Sequence, residues 1–80
     1  MSDGATTPDQ VLDCTGLQCP TPVLKTAQAF KELEPGQVLE LLATDPGVES
    51  DLPAWSRRSG NEFLGIEREG DVYHVLLRKA

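Results

Sequence analysis

Apolar positions recur along this chain with two different periods. Val23, Ala27 and Phe30 fall at i, i+4 and i+7, and Leu24 and Leu33 widen the same stripe. Residues Pro22 to Leu33 therefore read as an amphipathic helix, which Glu34-Pro35-Gly36 stops. Val48, Leu52, Trp55 and Ser59 trace a second helical face. Pro53 interrupts that pattern, so the second helix either starts late, near Asp51, with Asp51 as its cap, or is kinked there, the late start being the expectation; Gly60 ends it.

The remaining segments read as strands. Gln10 to Cys14 is a short first strand, and Gly16 marks the turn after it. Val38 to Thr44 is apolar except for Glu40, as suits a largely buried strand. Phe63 to Glu69 and Val72 to Lys79 are two more, joined by a tight turn at Glu69-Gly70-Asp71. The order βαβαββ predicts an α/β two-layer sandwich: a four-stranded mixed sheet with both helices on one face. Residues 1–9 lack periodicity and read as a flexible N-terminal tail, leaving a single domain over residues 10–80.

Topology then points to a site. A βαβ crossover makes the first two strands parallel, so both end at the same side of the sheet. The loop after Cys14 and the loop Asp45-Pro46-Gly47 emerge there together, at the region where open α/β sheets tend to bind. The first of these loops contains Cys19-Pro20-Thr21-Pro22, at the mouth of the first helix. Proline is tolerated in a first turn because its missing N–H has no intrahelical partner there. Unpaired N–H groups and the positive dipole end favour an anion such as a thiolate. The expectation is a lowered thiol pKa at Cys19, with Asp45 and Asp51 offsetting part of the effect. The competing reading is a cysteine that only fills space.

Other residues have simpler explanations. Leu12 and Cys14 share a face of the first strand, so Cys14 reads as packing, with a resolving thiol for Cys19 as the alternative. His74 is expected to pair with Glu67 across the hairpin rather than to serve Cys19 as a base. Trp55 anchors the second helix in the core. Arg57 and Arg58 complement that helix's C-terminus, and Arg78 and Lys79 read as solvated charges.

Composition narrows the classes. Eighty residues bury only about 60% of their unfolded surface, which leaves room for one reactive side chain but not an elaborate cleft. Thirteen acidic against seven basic residues give a net charge of −6, opposite to the basic stripe of a nucleic-acid module. No apolar run is long enough to span a membrane, and no secretory signal is visible. Two cysteines are too few for a disulfide scaffold, and with one histidine they do not make a structural zinc site. The expected location is a reducing cytoplasm.

The run Leu12-Asp13-Cys14-Thr15-Gly16-Leu17-Gln18-Cys19-Pro20-Thr21-Pro22-Val23-Leu24 resembles the signature of TusA/SirA-like sulfur-carrier proteins. Ala43-Thr44-Asp45-Pro46-Gly47, Asp51-Leu52-Pro53-Ala54-Trp55 and Gly60-Asn61-Glu62-Phe63-Leu64 extend the resemblance over about residues 10–80. It implies a βαβαββ sandwich and a persulfide carried on Cys19, with Pro20 and Pro22 as structural supports. It also implies a cysteine desulfurase or rhodanese-like donor, a DsrE-like or other acceptor protein, and no cofactor. The pathways so implied are tRNA thiolation, molybdenum cofactor work or dissimilatory sulfur metabolism. The competing readings are a non-catalytic interaction module and a Cys14/Cys19 redox switch.

Overall fold

The computed structural model describes residues 7–80; residues 1–6 of the expected tail lie outside the described residues. The elements run β1 (Gln10–Cys14), α1 (Thr21–Phe30), β2 (Val38–Ala43), α2 (Val48–Ser59), β3 (Glu62–Glu69) and β4 (Val72–Arg78). The four strands form one mixed sheet in the order β1-β2-β4-β3. β1 pairs parallel to β2, whereas β4 is antiparallel to both β2 and β3.

Strand alternation separates the two faces. Cys14, Leu39, Leu41, Ala43, Tyr73, Val75 and Leu77 join Ala29 and Phe30 of α1 and Val48 and Leu52 of α2 in a single core. Trp55 packs on this core with its ring edge-on to Phe30, centroids 4.9 Å apart, as its position in the apolar stripe predicts. Among the described residues, no helix lies on the other face, which carries Val11, Glu40, Leu42, His74 and Leu76.

Several local expectations need correction. α1 buries Pro22, Thr26, Ala29 and Phe30, whereas Leu24 is 57% exposed. Thr26 can occupy the core because its hydroxyl donates to the Pro22 carbonyl at 2.8 Å. The last turn tightens to i→i−3 hydrogen bonds from Lys31 to Leu33, so the helix proper stops before Leu33. Lys79 is not a solvated charge. Its Nζ donates to the carbonyl oxygens of Phe30 and Leu33, both at 2.7 Å, closing the C-terminal end of α1. Asp9, placed in the tail by sequence, exchanges two 2.8 Å hydrogen bonds with the backbone of Val38 and ties the start of β1 to β2.

α2 starts at Val48, after Gly47, and continues through Pro53. The late start and the Asp51 cap are both overturned. The turn Asp45-Pro46-Gly47 opens the helix through backbone bonds, with the Asp51 N–H donating to the Gly47 carbonyl at 2.9 Å. The Asp51 side chain is thereby free to point elsewhere. Ser56, not Ser59, is the buried hydroxyl on this helix, satisfied by the Leu52 carbonyl. Gly60 ends α2 at φ 79°, a left-handed position that glycine adopts without steric cost.

Candidate functional site

The site is built where β1 and β2 end. Their parallel register closes at the pair Cys14–Ala43, so the two following loops leave the sheet side by side. The Gly16 N–H donates to Thr44 Oγ1 at 2.8 Å, and the Cys19 N–H donates to Asp45 Oδ2 at 2.8 Å. The Cys19 thiol itself donates to Asp51 Oδ2 at 2.8 Å. Three contacts between residues far apart in sequence thus fix the exposed Cys19 against the mouth of α2. Gly47 allows the convergence, because a Cβ at that position would lie 3.2 Å from Asp45 Oδ2 and 3.3 Å from Asp51 Oδ2.

The electrostatic expectation for Cys19 has the wrong sign. Its pKa is raised, first because the Asp51 carboxylate accepts the thiol's hydrogen bond, then by desolvation and by the charges of Asp51 and Asp45. A bond donated by the thiol favours the protonated form, and neighbouring negative charge disfavours the thiolate. Part of the helix start is already occupied. The Thr21 N–H is taken by the Gln18 carbonyl at 2.9 Å and that of Leu24 by the Pro20 carbonyl at 3.0 Å. Pro20 and Pro22 supply none. Cys19 thus sits beside two close carboxylates as well as at a helix start.

Pro20 occupies the N-cap position of α1, and Pro22 lies buried in the first turn. Cys14 is 0% exposed and belongs to the core, and burial pushes its thiol pKa up, with Lys25 opposing and Asp13 adding to it. Both cysteines are free thiols. His74 is not in the site. It lies opposite Glu67 in register, as expected, but its ring nitrogens contact Glu40 Oε2 at 2.8 Å and Glu69 Oε1 at 3.3 Å. The pairing partner is corrected because diagonal neighbours on the uncovered face reach the ring. A shallow groove lined by Glu40, Leu64, Glu67, His74 and Leu76 occupies that same face, across the sheet from the helices. Among the described residues, no cluster of His, Cys, Asp or Glu could hold a metal ion. Nor is any helix long and apolar enough to cross a membrane.

Sequence reasoning placed Cys19, Asp45 and Asp51 on the same side of the sheet but missed the Asp51–thiol bond. The available signal was the pair of acidic residues on either side of Gly47, Asp45 in the loop that topology set beside Cys19 and Asp51 in the first turn of the helix that follows.

These features define a class of small two-layer α+β protein that presents one accessible thiol at its strand ends instead of enclosing a cleft. The chain belongs to the sulfurtransferase TusA family, whose model matches residues 10–79. YrkF of Bacillus subtilis is 49% identical over 69 residues, which are 86% of this chain and 37% of YrkF. The sulfur carrier protein TusA of Allochromatium vinosum is 40% identical over 72 residues, covering 90% of this chain and 95% of that protein. The crystal structure of a SirA-like protein from Desulfitobacterium hafniense superposes with a TM-score of 0.76 at 26% identity, covering 86% of this chain and 95% of that one. This chain thus spans little more than a third of YrkF and nearly the whole of the Allochromatium protein.

Proposed function

We propose that this protein carries sulfane sulfur as a persulfide on Cys19 and passes it to an acceptor protein. The observation that carries the reading is the exposed Cys19 thiol, fixed by Asp45 and Asp51 at the strand ends, within a chain that belongs to the TusA family. An open position suits a reaction between two proteins, in which one sulfur passes from the persulfide of one to the thiol of the other. Cys19 acts as a nucleophile that divides the transfer into two steps, and Pro20 and Pro22 set the backbone that presents it. The donor is a cysteine desulfurase or a rhodanese-like protein, and the acceptor is a DsrE-like or comparable thiol protein. Neither step needs a metal or an organic cofactor. A reducing compartment such as the cytoplasm suits a thiol that must stay free between cycles.

A net charge of −6 favours partners that present basic surfaces, and added salt should slow that encounter. Incubation with a cysteine desulfurase and cysteine, or with a rhodanese and thiosulfate, followed by intact mass measurement, tests the proposal. The expected result is a gain of one sulfur atom on wild type and none on Cys19→Ser. An unchanged wild-type mass with both donor systems would favour an interaction module instead.

A further inference from the structure

Cys19 has a polar partner whose relation to the sulfur must change when sulfur is loaded. Its thiol donates to Asp51 Oδ2 at 2.8 Å, and the Asp45 carboxylate is held beside it through the Cys19 N–H, also at 2.8 Å. The charged groups acting on this sulfur are Asp51, from α2, and Asp45, from the loop before it. α1 adds no acidic residue in its first turn. Among the described residues no basic side chain forms an ion pair with either carboxylate.

Loading can be written with all atoms in place. Cys19 Sγ attacks the outer sulfur of a donor R–S–SH, a new S–S bond forms to Cys19, and the bond between the two donor sulfurs breaks. The donor leaves as R–SH with the proton that Cys19 gives up. The sum is Cys19–SH plus R–S–SH giving Cys19–S–SH plus R–SH, with no external oxidant or reductant. Afterwards Cys19 Sγ bears no hydrogen, so it cannot donate to Asp51. The outer sulfur, when ionised, meets two carboxylates of its own sign.

We propose that Asp51 is a positioning residue that sets the sulfur-transfer tendency of Cys19, stabilising the empty thiol and disfavouring the loaded persulfide. This rests on the carrier reading above and extends it to the direction of flow. The carboxylate makes the carrier reluctant to keep its sulfur, so the cargo moves on to an acceptor. The raised thiol pKa of Cys19 has the same first cause.

The test is an exchange equilibrium. Wild type, Asp51→Asn and Asp51→Glu are each mixed with glutathione persulfide and glutathione at fixed ratios, and loaded and empty forms are counted by intact mass. Asp51→Asn is expected to favour the loaded form on the order of tenfold over wild type, since one like-charged neighbour and one hydrogen bond are removed together. Asp51→Glu, which keeps the charge, is expected to stay near wild type. The pH profile of Cys19 alkylation should move to lower pH in Asp51→Asn, a shift that a purely structural role would not produce. Should Asp51→Asn fail to fold, Asp45→Asn removes the second charge and should move the equilibrium in the same direction by less. Wild type that loads normally, with Asp51→Asn unchanged or shifted toward the empty form, overturns this inference alone. Wild type that takes up no sulfur overturns the carrier reading, and this inference with it.

Discussion

Cys14 and Cys19 stand at the two ends of one loop and are both harder to ionise than an ordinary cysteine, for unlike reasons. Cys14 ends β1 with 0% of its surface exposed, and loss of water is the first cause of its shift. Cys19 is exposed, and its shift comes first from the bond it gives to Asp51. Ionisation therefore does not tell the reactive thiol from the inert one. What separates them is how the restraint can be lifted. A partner docking at the strand ends can reach and rearrange the Asp51 contact, whereas only opening of the core exposes Cys14.

The strongest way to break this comparison is to label the native protein with iodoacetamide and follow each thiol by peptide mass. Cys19 should react faster than Cys14 on the order of a hundredfold or more, because Cys14 must wait for a local opening that costs about 3 kcal/mol or more. Both should react at similar rates in denaturant. Comparable rates in the native state would place Cys14 on the surface and revive the resolving-thiol alternative.

A second test acts on Cys14 alone. Cys14→Ser puts a hydroxyl into an apolar site and is expected to cost about 1–3 kcal/mol of stability. Cys14→Ala removes only the sulfur and should cost about 1 kcal/mol. Urea unfolding measures both. Sulfur uptake on Cys19 should persist in each variant, and its loss in a variant that still folds would show that the two thiols work together.

The contrast between the cysteines was half legible in the sequence. Alternation along Gln10–Cys14 put Cys14 in the core beside Leu12, and the apolar run from Val38 marked β2 to within one residue, because short runs bounded by glycine and proline leave little room for a helix. The hairpin register Glu67–His74 also followed from the two-residue turn at Gly70-Asp71. The start of α2 did not. Pro53 suggested a break, yet the helix already opens with N–H groups donating to the Asp45, Pro46 and Gly47 carbonyls and runs on through Pro53. That single error carried into the site: an Asp51 assigned to capping its own helix could not also be assigned to the Cys19 thiol. Lys79 was misread for a related reason, since the carbonyls it caps lie at the far end of α1 and only the tertiary fold brings them together.

Gly47 offers a finer test of the Cys19 side of the comparison. Its backbone is ordinary right-handed helical, φ −57°, so alanine is not opposed by backbone conformation. The added methyl would instead press on the Asp45 and Asp51 carboxylates at 3.2 and 3.3 Å. Gly47→Ala is expected to change stability by less than about 1 kcal/mol, the entropic gain of alanine offsetting the crowding, and to move the Cys19 alkylation profile toward lower pH as the Asp51 bond loosens. An alkylation profile identical to wild type would mean that the carboxylates yield without releasing the thiol.

The smallest effect concerns His74, where carboxylates act on a group of the opposite charge type. Glu40 and Glu69 stabilise an imidazolium, whereas Asp51 stabilises an uncharged thiol. The His74 pKa is raised above 6.5, first by the hydrogen bond to Glu40, with desolvation opposing and the charges of Glu40 and Glu69 adding to the rise. Because the folded value exceeds the unfolded one, this stabilisation is fully present below about pH 6.5 and is lost as pH rises through the folded value. The His74 side chain is 30% exposed and that of Glu69 86% exposed, so the contribution should be only about 0.5 kcal/mol. Urea midpoints measured from mildly acidic to mildly alkaline pH should fall across this window in wild type and stay flatter in His74→Gln. Sulfur loading of Cys19 should be the same in both proteins, since His74 lies on the uncovered face of the sheet and Cys19 at the strand ends. A loading defect in His74→Gln would join the two regions, and the separation drawn between them would fail.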